Sequence, residues 1–478
     1  MGERLAKAWS NQKLRPYLAG AAALALAAGG AIGATAASAD SGSGLTGYTT
    51  PATASASDYV IAHTATPIKH VVVIFDENIT FDHYFGTYPF AANTDGTSFT
   101  AKPGTAAING LYTKITSSGP TGPLLTSNPN EFNPQRLSHA EALTSDQGHS
   151  YLPEQKAVDN GKMDAFVQNT ESDSCSAPAV CPPGIVMDYY DGNTVTALWN
   201  YAQNYAMSDN NWDTTFGPST PGALSVVSGS TGGSEALTPA WSPTPNQPTT
   251  SGAIHNGSMV GDVDPYYDTC SDGNHSTTGA LGLQTGENIG DLLNSKHITW
   301  GWFQGGFAPS ATDSTGAICG TSHTNVGGGS SADYSPHHNP FEYYASTANP
   351  DHLAPSSLSE IGKTDQANHE YDLSDFSDAL NGTGGAGLPA VSYLKAPEFQ
   401  DAHPGYSDPL DEQTFLVNTI NSIEQSRYWP STAIIITYDD SDGWYDHAAP
   451  PIVNGSNDPA EDTALCTSKP ITIGTDSD

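Results

Sequence analysis

The chain has 478 residues, enough for one large domain or two smaller ones, and sets 15 Lys and Arg against 51 Asp and Glu, a formal charge of −36. So acidic a surface excludes nucleic acid, which is gripped through its phosphates, and argues against docking on anionic membranes. Gly 48 and Pro 34 make the chain loop-rich, while 37% hydrophobic residues still leave material for a buried core.

Residues 1–39 read as an export signal. Arg4, Lys7, Lys13 and Arg15 form a basic start, and "YLAGAAALALAAGGAIGATAASA" is an apolar run that ends in a small-x-small cleavage site before Asp40. A membrane anchor suits this Ala- and Gly-heavy run less well, because the run is only weakly hydrophobic. The expected product is secreted, with no stable membrane insertion once the signal is cleaved. Five cysteines fit an oxidising compartment. Cys175 and Cys181 bracket a short loop, Cys270 and Cys319 flank a long irregular stretch, and Cys466 is left over.

Residues 40–66 are rich in Ser, Thr, Ala and Gly and read as a flexible leader. Order is expected from about residue 67. "HVVVIF" is a strand by its β-branched run. The spacing of Val195, Leu198, Trp199, Ala202 and Tyr205 predicts a helix over 193–207. "ENIGDLLNSKHITWGWF" reads as a helix followed by a strand, "LPAVSYL" as a strand, 411–426 as a helix and "TAIIITYDDSDG" as a second buried strand. Strands alternating with helices in this way predict an α/β fold with a mainly parallel sheet. The Gly/Ser/Thr/Pro-rich stretches 228–258 and 305–335 read as long functional insertions.

Two of the strands end oddly. "VVVIFDEN" and "IIITYDD" both leave a buried run directly into side-chain oxygens, where Gly, Pro or Ser would be usual. Parallel sheets bind ligands at the carboxyl ends of their strands. If the two exits are neighbours, Glu77, Asn78, Asp439 and Asp440 gather on one sheet edge, and that many oxygen donors repel unless a cation compensates them. Oxygen ligation suits a divalent ion: Mg²⁺, Ca²⁺, Mn²⁺ or Zn²⁺. The bland alternative is that these acids cap helices or face water.

A hydroxyl stands near an expected helix start in "FGPSTPGALSVVSG", where Ser219 precedes Pro221. N–H groups at such a terminus attract an anion such as a phosphoryl group, and a nearby cation would lower the pKa of the hydroxyl. Ser219 is therefore the candidate nucleophile and a fifth metal ligand, with Thr220 the neighbour if the register is off by one; the alternative is a simple N-cap. His149 in "DQGHSY", His337 and His338 in "PHHNPF", and His403 in "DAHPGYSDP" all sit beside turn residues. With so few Lys and Arg, these histidines and a metal are the expected sources of positive charge and protons for phosphoryl transfer.

"DENITFDHYFG", "DQGHSY", "NGKMDAF", "MDYYDGNTVTALWNYAQNYAMSDNNW", "FGPSTPGALSVVSG" and "YDDSDGWYDH" together resemble the bacterial phosphoesterase family of phospholipases C and respiratory-burst-inhibiting acid phosphatases. The motifs run in order from about residue 67 to 452. "FGPSTPG" is closer to the acid phosphatase branch than to the "GGTNPNR" form of the phospholipases, and "DDSD" stands where many phospholipases C carry Asp-Glu-His-Gly. The resemblance implies an alkaline-phosphatase-like α/β core. It also implies a metal held by Glu77, Asn78, Ser219, Asp439 and Asp440, with Ser219 as nucleophile. His149, His337, His338 and His403 would bind the phosphoryl group or protonate the leaving oxygen. The implied activity is hydrolysis of phosphate monoesters. Phospholipid diesters are the rival substrate, and an inactive secreted metal-binding homologue is the rival outside the enzymes. Family members continue past the "DH" motif with a Gly-Pro-Arg segment, another strand and a helix. Here "DTALCTSKPITIGTDSD" follows instead, so a single domain over 67–478, shortened at its C-terminus with one sheet edge uncovered, is the expectation.

Overall fold

The computed structural model of the chain describes residues 45–49, 51, 64–172, 174–277, 279–452 and 455–462. The expected export signal over 1–39, most of the expected leader over 40–66, and Cys466 lie outside these residues.

Five strands form one sheet: β1 (His70–Asp76), β2 (Trp300–Gln304), β3 (Glu370–Asp372), β4 (Val391–Lys395) and β5 (Thr432–Tyr438). Their order is β3-β2-β4-β1-β5, and every neighbouring pair is parallel. The chain thus has the α/β fold with a parallel sheet that its alternating strands and helices predict. Seven helices matter for the site: α1 (Phe81–Phe85), α2 (Tyr151–Val158), α3 (Thr196–Asn204), α4 (Ser219–Ser228), α5 (Ile289–Ser295), α6 (Leu373–Asn381) and α7 (Pro409–Gln425). Among the described residues no helix is long and apolar enough to cross a membrane.

Side chains alternate across each strand, so the sheet buries both faces. Val72, Ile74, Phe303 and Leu394 pack on Trp199 of α3, Phe376 of α6 and Leu416, Ile420 and Ile423 of α7. Phe75, Tyr393, Trp300 and Trp302 pack on the other face against Ala223, Leu224 and Val227 of α4, with Ile289 and Leu293 of α5 alongside. Each such fully buried apolar side chain stabilises the fold by roughly 1.5–3 kcal/mol.

The helix starts follow local chemistry. The Asp408 side chain accepts from the N–H groups of Leu410 and Asp411, and Pro409 takes the first turn of α7, where a missing N–H costs nothing. Asn288 and Asp291 form a reciprocal capping box at the start of α5. The helix expected over 193–207 is shorter at both ends. Asn193 is buried and its side chain bonds to Asn93 and to the Thr97 carbonyl, so it serves a loop and not a helical turn. Strand β3 carries no apolar run, which is why the sequence reading does not contain it.

The stretches 228–258 and 305–335 contain short antiparallel pairings. Ser234–Leu237 pairs with Leu281–Gln284, Ala311–Thr312 with Ala317–Ile318, and Ser322–Thr324 with Ser330–Ala332. Cys175 is bonded to Cys181 and Cys270 to Cys319. Strand β5 is an edge: among the described residues it pairs with β1 alone.

Candidate metal centre at the strand ends

Strands β1 and β5 lie side by side with Asp76 opposite Tyr438, so the two acidic exits emerge together. The Asp439 N–H donates to the Asp76 carbonyl at 3.2 Å, and the Asn78 N–H donates to Asp439 Oδ1 at 3.0 Å. Asn78 takes φ 57, the left-handed conformation that Asn tolerates better than most residues, and this turns its side chain back over the strand ends. Glu77, Asn78, Asp439 and Asp440 are all buried, and one ligand oxygen from each of Glu77, Asp439 and Asp440 lies within 4.8 Å of the others.

The direction of the Asn78 amide follows from His403. The His403 Nδ1 sits 2.7 Å from the Pro404 carbonyl, which only accepts, so Nδ1 carries the proton. Burial, followed by the charge on His149, pushes the His403 pKa well down, so the ring is neutral and Nε2 is an acceptor. The Asn78 atom 2.9 Å from that Nε2 is therefore its nitrogen, which also donates to Asp442 Oδ1 at 3.4 Å. Its oxygen then faces Glu77 Oε2 at 2.7 Å, Asp439 Oδ1 at 3.2 Å and Asp440 Oδ2 at 3.3 Å. Asp439 Oδ2 is buried with no hydrogen-bond partner among the described residues. Four side-chain oxygens converging at these distances fit a hard divalent cation. Burial and then the charge on Asp439 push the pKa values of Glu77 and Asp440 well up, the same shortage of positive charge seen from the proton's side.

Ser219 is the first residue of α4, and its Oγ donates to Glu77 Oε2 at 2.9 Å. Thr220 is turned away: its N–H donates to Asp262 Oδ1 and its hydroxyl lies 3.4 Å from the Tyr343 hydroxyl. Gly222 lets the helix come this close. A Cβ there would lie 2.2 Å from the Asp439 carbonyl oxygen.

Of the four histidines, His338 and His403 contact Glu77 and Asn78, His149 contacts Asp442, and His337 stands behind His338 with ring centres 4.5 Å apart; they differ in charge. His149 Nδ1 is 3.1 Å from Asp442 Oδ1, and its ring lies 5.9 Å from that of His403. Burial opposes a charge on His149, but Asp440 and Asp442 outweigh it and hold its pKa well up. His337 Nδ1 is 3.4 Å from Asp264 Oδ1, and burial is again overcome, here by Asp262 and Asp264, which push its pKa up to about 9. His338 Nδ1 is 3.2 Å from Glu77 Oε1, and burial, then His337 and Lys395, push its pKa well down.

Several residues here are absent from the sequence reading. Lys395, the last residue of β4, is completely buried and ion-paired through Nζ to Glu77 Oε1, with its ammonium 5.1 Å above the centre of the Phe75 ring. Burial opposes its charge, but Glu77 and Asp439 raise its pKa further than burial lowers it. The expectation that histidines and a metal replace lysine is therefore incomplete. Reading "VSYLK" as a third strand with a charged exit would have found it. Asp401 lies beneath, and its carbonyl accepts from the Glu77 N–H at 2.8 Å. Glu154 of α2 accepts from the Gly217 N–H at 2.6 Å and from the Ser441 hydroxyl, so it ties the turn before Ser219 to the turn after Asp440. Nothing in the local sequence of Glu154 signals this.

Two substitutions test the geometry. Gly222→Ala pushes α4 off Asp439, and bound divalent metal, read by elemental analysis, is expected to fall at least about tenfold with the circular dichroism unchanged. Lys395→Met leaves Glu77 buried without its partner and is expected to cost about 3–5 kcal/mol of stability, read by denaturant unfolding.

A family model described as the phosphoesterase family matches residues 68–475. Shorter stretches are similar to curated proteins. Over 83 residues the chain is 37% identical to a non-hemolytic phospholipase C of Burkholderia pseudomallei, a match covering 17% of the chain and 11% of that protein. Over 71 residues it is 32% identical to a non-hemolytic phospholipase C of Pseudomonas aeruginosa, covering 15% of the chain and 10% of the relative. Over 96 residues it is 30% identical to non-specific phospholipase C6 of Arabidopsis thaliana, covering 19% and 18%. The matched stretches thus span less than a fifth of each relative. The family model, by contrast, takes in all five strands and every residue of the strand-end cluster: the chain belongs to the phosphoesterase family.

Proposed function

We propose that the protein is a secreted, metal-dependent phosphoesterase with Ser219 as its nucleophile, built on an alkaline-phosphatase-like core. The observation that carries the reading is the Ser219 hydroxyl 2.9 Å from Glu77 Oε2, a carboxylate shared with the convergent oxygens of Asn78, Asp439 and Asp440. A divalent ion held there by Glu77, Asn78, Ser219, Asp439 and Asp440 would supply positive charge that favours the ionised hydroxyl and offsets the phosphoryl oxygens.

The chain's own residues supply the rest. Ser219 Oγ attacks phosphorus, the bond from phosphorus to the leaving oxygen breaks, and a phosphoserine forms that water then hydrolyses. His149 and His337, kept protonated by their carboxylate neighbours, are the proton donors to the leaving oxygen. His338 and His403 are neutral and orient Glu77 and Asn78. The proposed substrates are phosphate monoesters, on the likeness of "FGPSTPG" to the acid phosphatase branch. The names of the three relatives favour a second reading, a phospholipase C acting on phospholipid diesters.

The test is turnover of p-nitrophenyl phosphate and of phosphatidylcholine after chelation and add-back of Mg²⁺, Ca²⁺, Mn²⁺ or Zn²⁺. Activity should vanish on chelation and return with one of these ions, and Ser219→Ala should lower it by a factor on the order of 10⁴ or more. Full activity in Ser219→Ala removes the nucleophile assignment. Release of phosphocholine without p-nitrophenol selects the phospholipase reading. No hydrolysis of either ester by metal-loaded protein leaves a binding homologue.

A further inference from the structure

Glu77 turns its two oxygens to two different sets of neighbours. On one side Oε2 faces the Ser219 hydroxyl at 2.9 Å and the Asn78 oxygen at 2.7 Å, the side proposed above for the divalent ion. On the other side Oε1 lies 3.2 Å from His338 Nδ1, and Asp401 Oδ2 lies 3.9 Å from that same nitrogen. Glu77, His338 and Asp401 each offer a ligand atom within 4.8 Å of the other two, and all three residues are buried. Asp401 Oδ1 accepts from the His403 N–H at 3.0 Å, whereas Asp401 Oδ2 is enclosed and has no hydrogen-bond partner among the described residues.

Two carboxylates and an imidazole are a donor set that binds divalent ions such as Zn²⁺ and Mn²⁺. Here the chain brings its own cation to them. Lys395 is completely buried, and its Nζ is ion-paired to Glu77 Oε1. The Phe75 ring closes another side, with the ammonium 5.1 Å from its centre. A lysine ammonium is a compact charge on a flexible stem, so it fits the space between oxygens that a bare ion would fill. It carries one positive charge where a metal would carry two.

We propose that the Lys395 ammonium occupies a second cation position, bounded by Glu77 Oε1, His338 Nδ1 and Asp401 Oδ2, and thereby limits the centre to one exchangeable metal ion. The inference rests on the reading of Glu77 as a ligand of that ion. The two cations then sit on opposite oxygens of one carboxylate, the exchangeable one beside Ser219 and the built-in one away from it. With Oε1 held by the ammonium, Oε2 is left facing Ser219, and a second divalent ion is kept out by bulk and by like charge. Lys395 is thus a positioning residue that also sets metal stoichiometry. An ion pair with a structural role alone would stabilise Glu77 as well, but its removal would create no new affinity for metal.

The test counts Mn²⁺ retained by the full chain after gel filtration, by elemental analysis, and reads the ions by electron paramagnetic resonance. The unmodified chain is expected to hold one Mn²⁺ at this centre, with the signal of an isolated ion. Lys395→Ala should hold two, with the spin-coupled signal of ions about 3.5–4 Å apart. Lys395→Ala/Asp401→Asn should return to one. Lys395→Gln, which keeps most of the bulk and a donor for Glu77, is also expected to bind two and takes the place of Lys395→Ala if that variant fails to fold. One ion in the Lys395 variants, or a coupled pair that Asp401→Asn does not abolish, overturns the proposal and leaves Lys395 a structural partner of Glu77. A coupled pair in the unmodified chain overturns it as well. No retained Mn²⁺ in the unmodified chain removes the metal centre itself and this inference with it, so the two failures are told apart.

Discussion

The site is governed by an excess of negative charge where water is scarce. Asp76, Glu77, Asp401, Asp439 and Asp440 are all buried around the ends of three adjacent parallel strands. Two like charges 4 Å apart cost about 4 kcal/mol at the effective dielectric of a protein surface, so a cluster of this kind persists only with compensation. Lys395 supplies one positive charge, and the upward shifts of Asp76, Glu77, Asp401 and Asp440, led by burial in each case, mark how far one lysine falls short. What remains is negative charge that the proposed divalent cation would offset.

The fold gathers that charge through register. Parallel pairing sets Asp76 beside Tyr438, so Glu77 and Asp439 leave the sheet at one level; Leu394 lies beside Ile74, so Lys395 is level with Phe75, two residues lower, and its long side chain reaches up to Glu77. The core fixes the level: Ile74 and Phe75 are buried on opposite faces, and slipping β1 by one residue would exchange them. Helix α4 brings Ser219 to the same place because Gly222 has no side chain to hold it off. The residues behind these oxygens hold them in place. His403 accepts from Asn78 and thereby aims its oxygen, and Glu154 joins the turns on either side.

Much of this was legible in the sequence, and for a physical reason. "HVVVIF" and "AIIIT" stand out as apolar runs, and the acids that follow break the usual pattern of strand exits; Val72, Ile74 and Phe75 are buried as expected, but β5 is not the buried strand its run suggests, because it lies at the sheet edge with Ile435 exposed. The short β3, with sequence Glu-Tyr-Asp, offers no run to recognise and takes its place only through its pairing with β2. The choice between Ser219 and Thr220 is a matter of helical phase: in space the Thr220 hydroxyl lies beside Tyr343, and the Ser219 hydroxyl beside Glu77. Lys395 was overlooked because a lysine after a strand usually reaches water, and its burial depends on Phe75 and Glu77, more than 300 positions earlier in the chain. Glu154 and Asp401 act through contacts equally remote in sequence, and a single sequence without its fold carries no trace of such contacts.

The central claim is that β1, β5 and the start of α4 close around one shared cation. Anomalous diffraction from crystals of the full chain soaked in Mn²⁺ tests it most directly. The account predicts one strong peak about 2.0–2.6 Å from oxygens of Glu77, Asn78, Ser219, Asp439 and Asp440. Fully occupied Mn²⁺ elsewhere, with these five side chains bound only to one another, would contradict it.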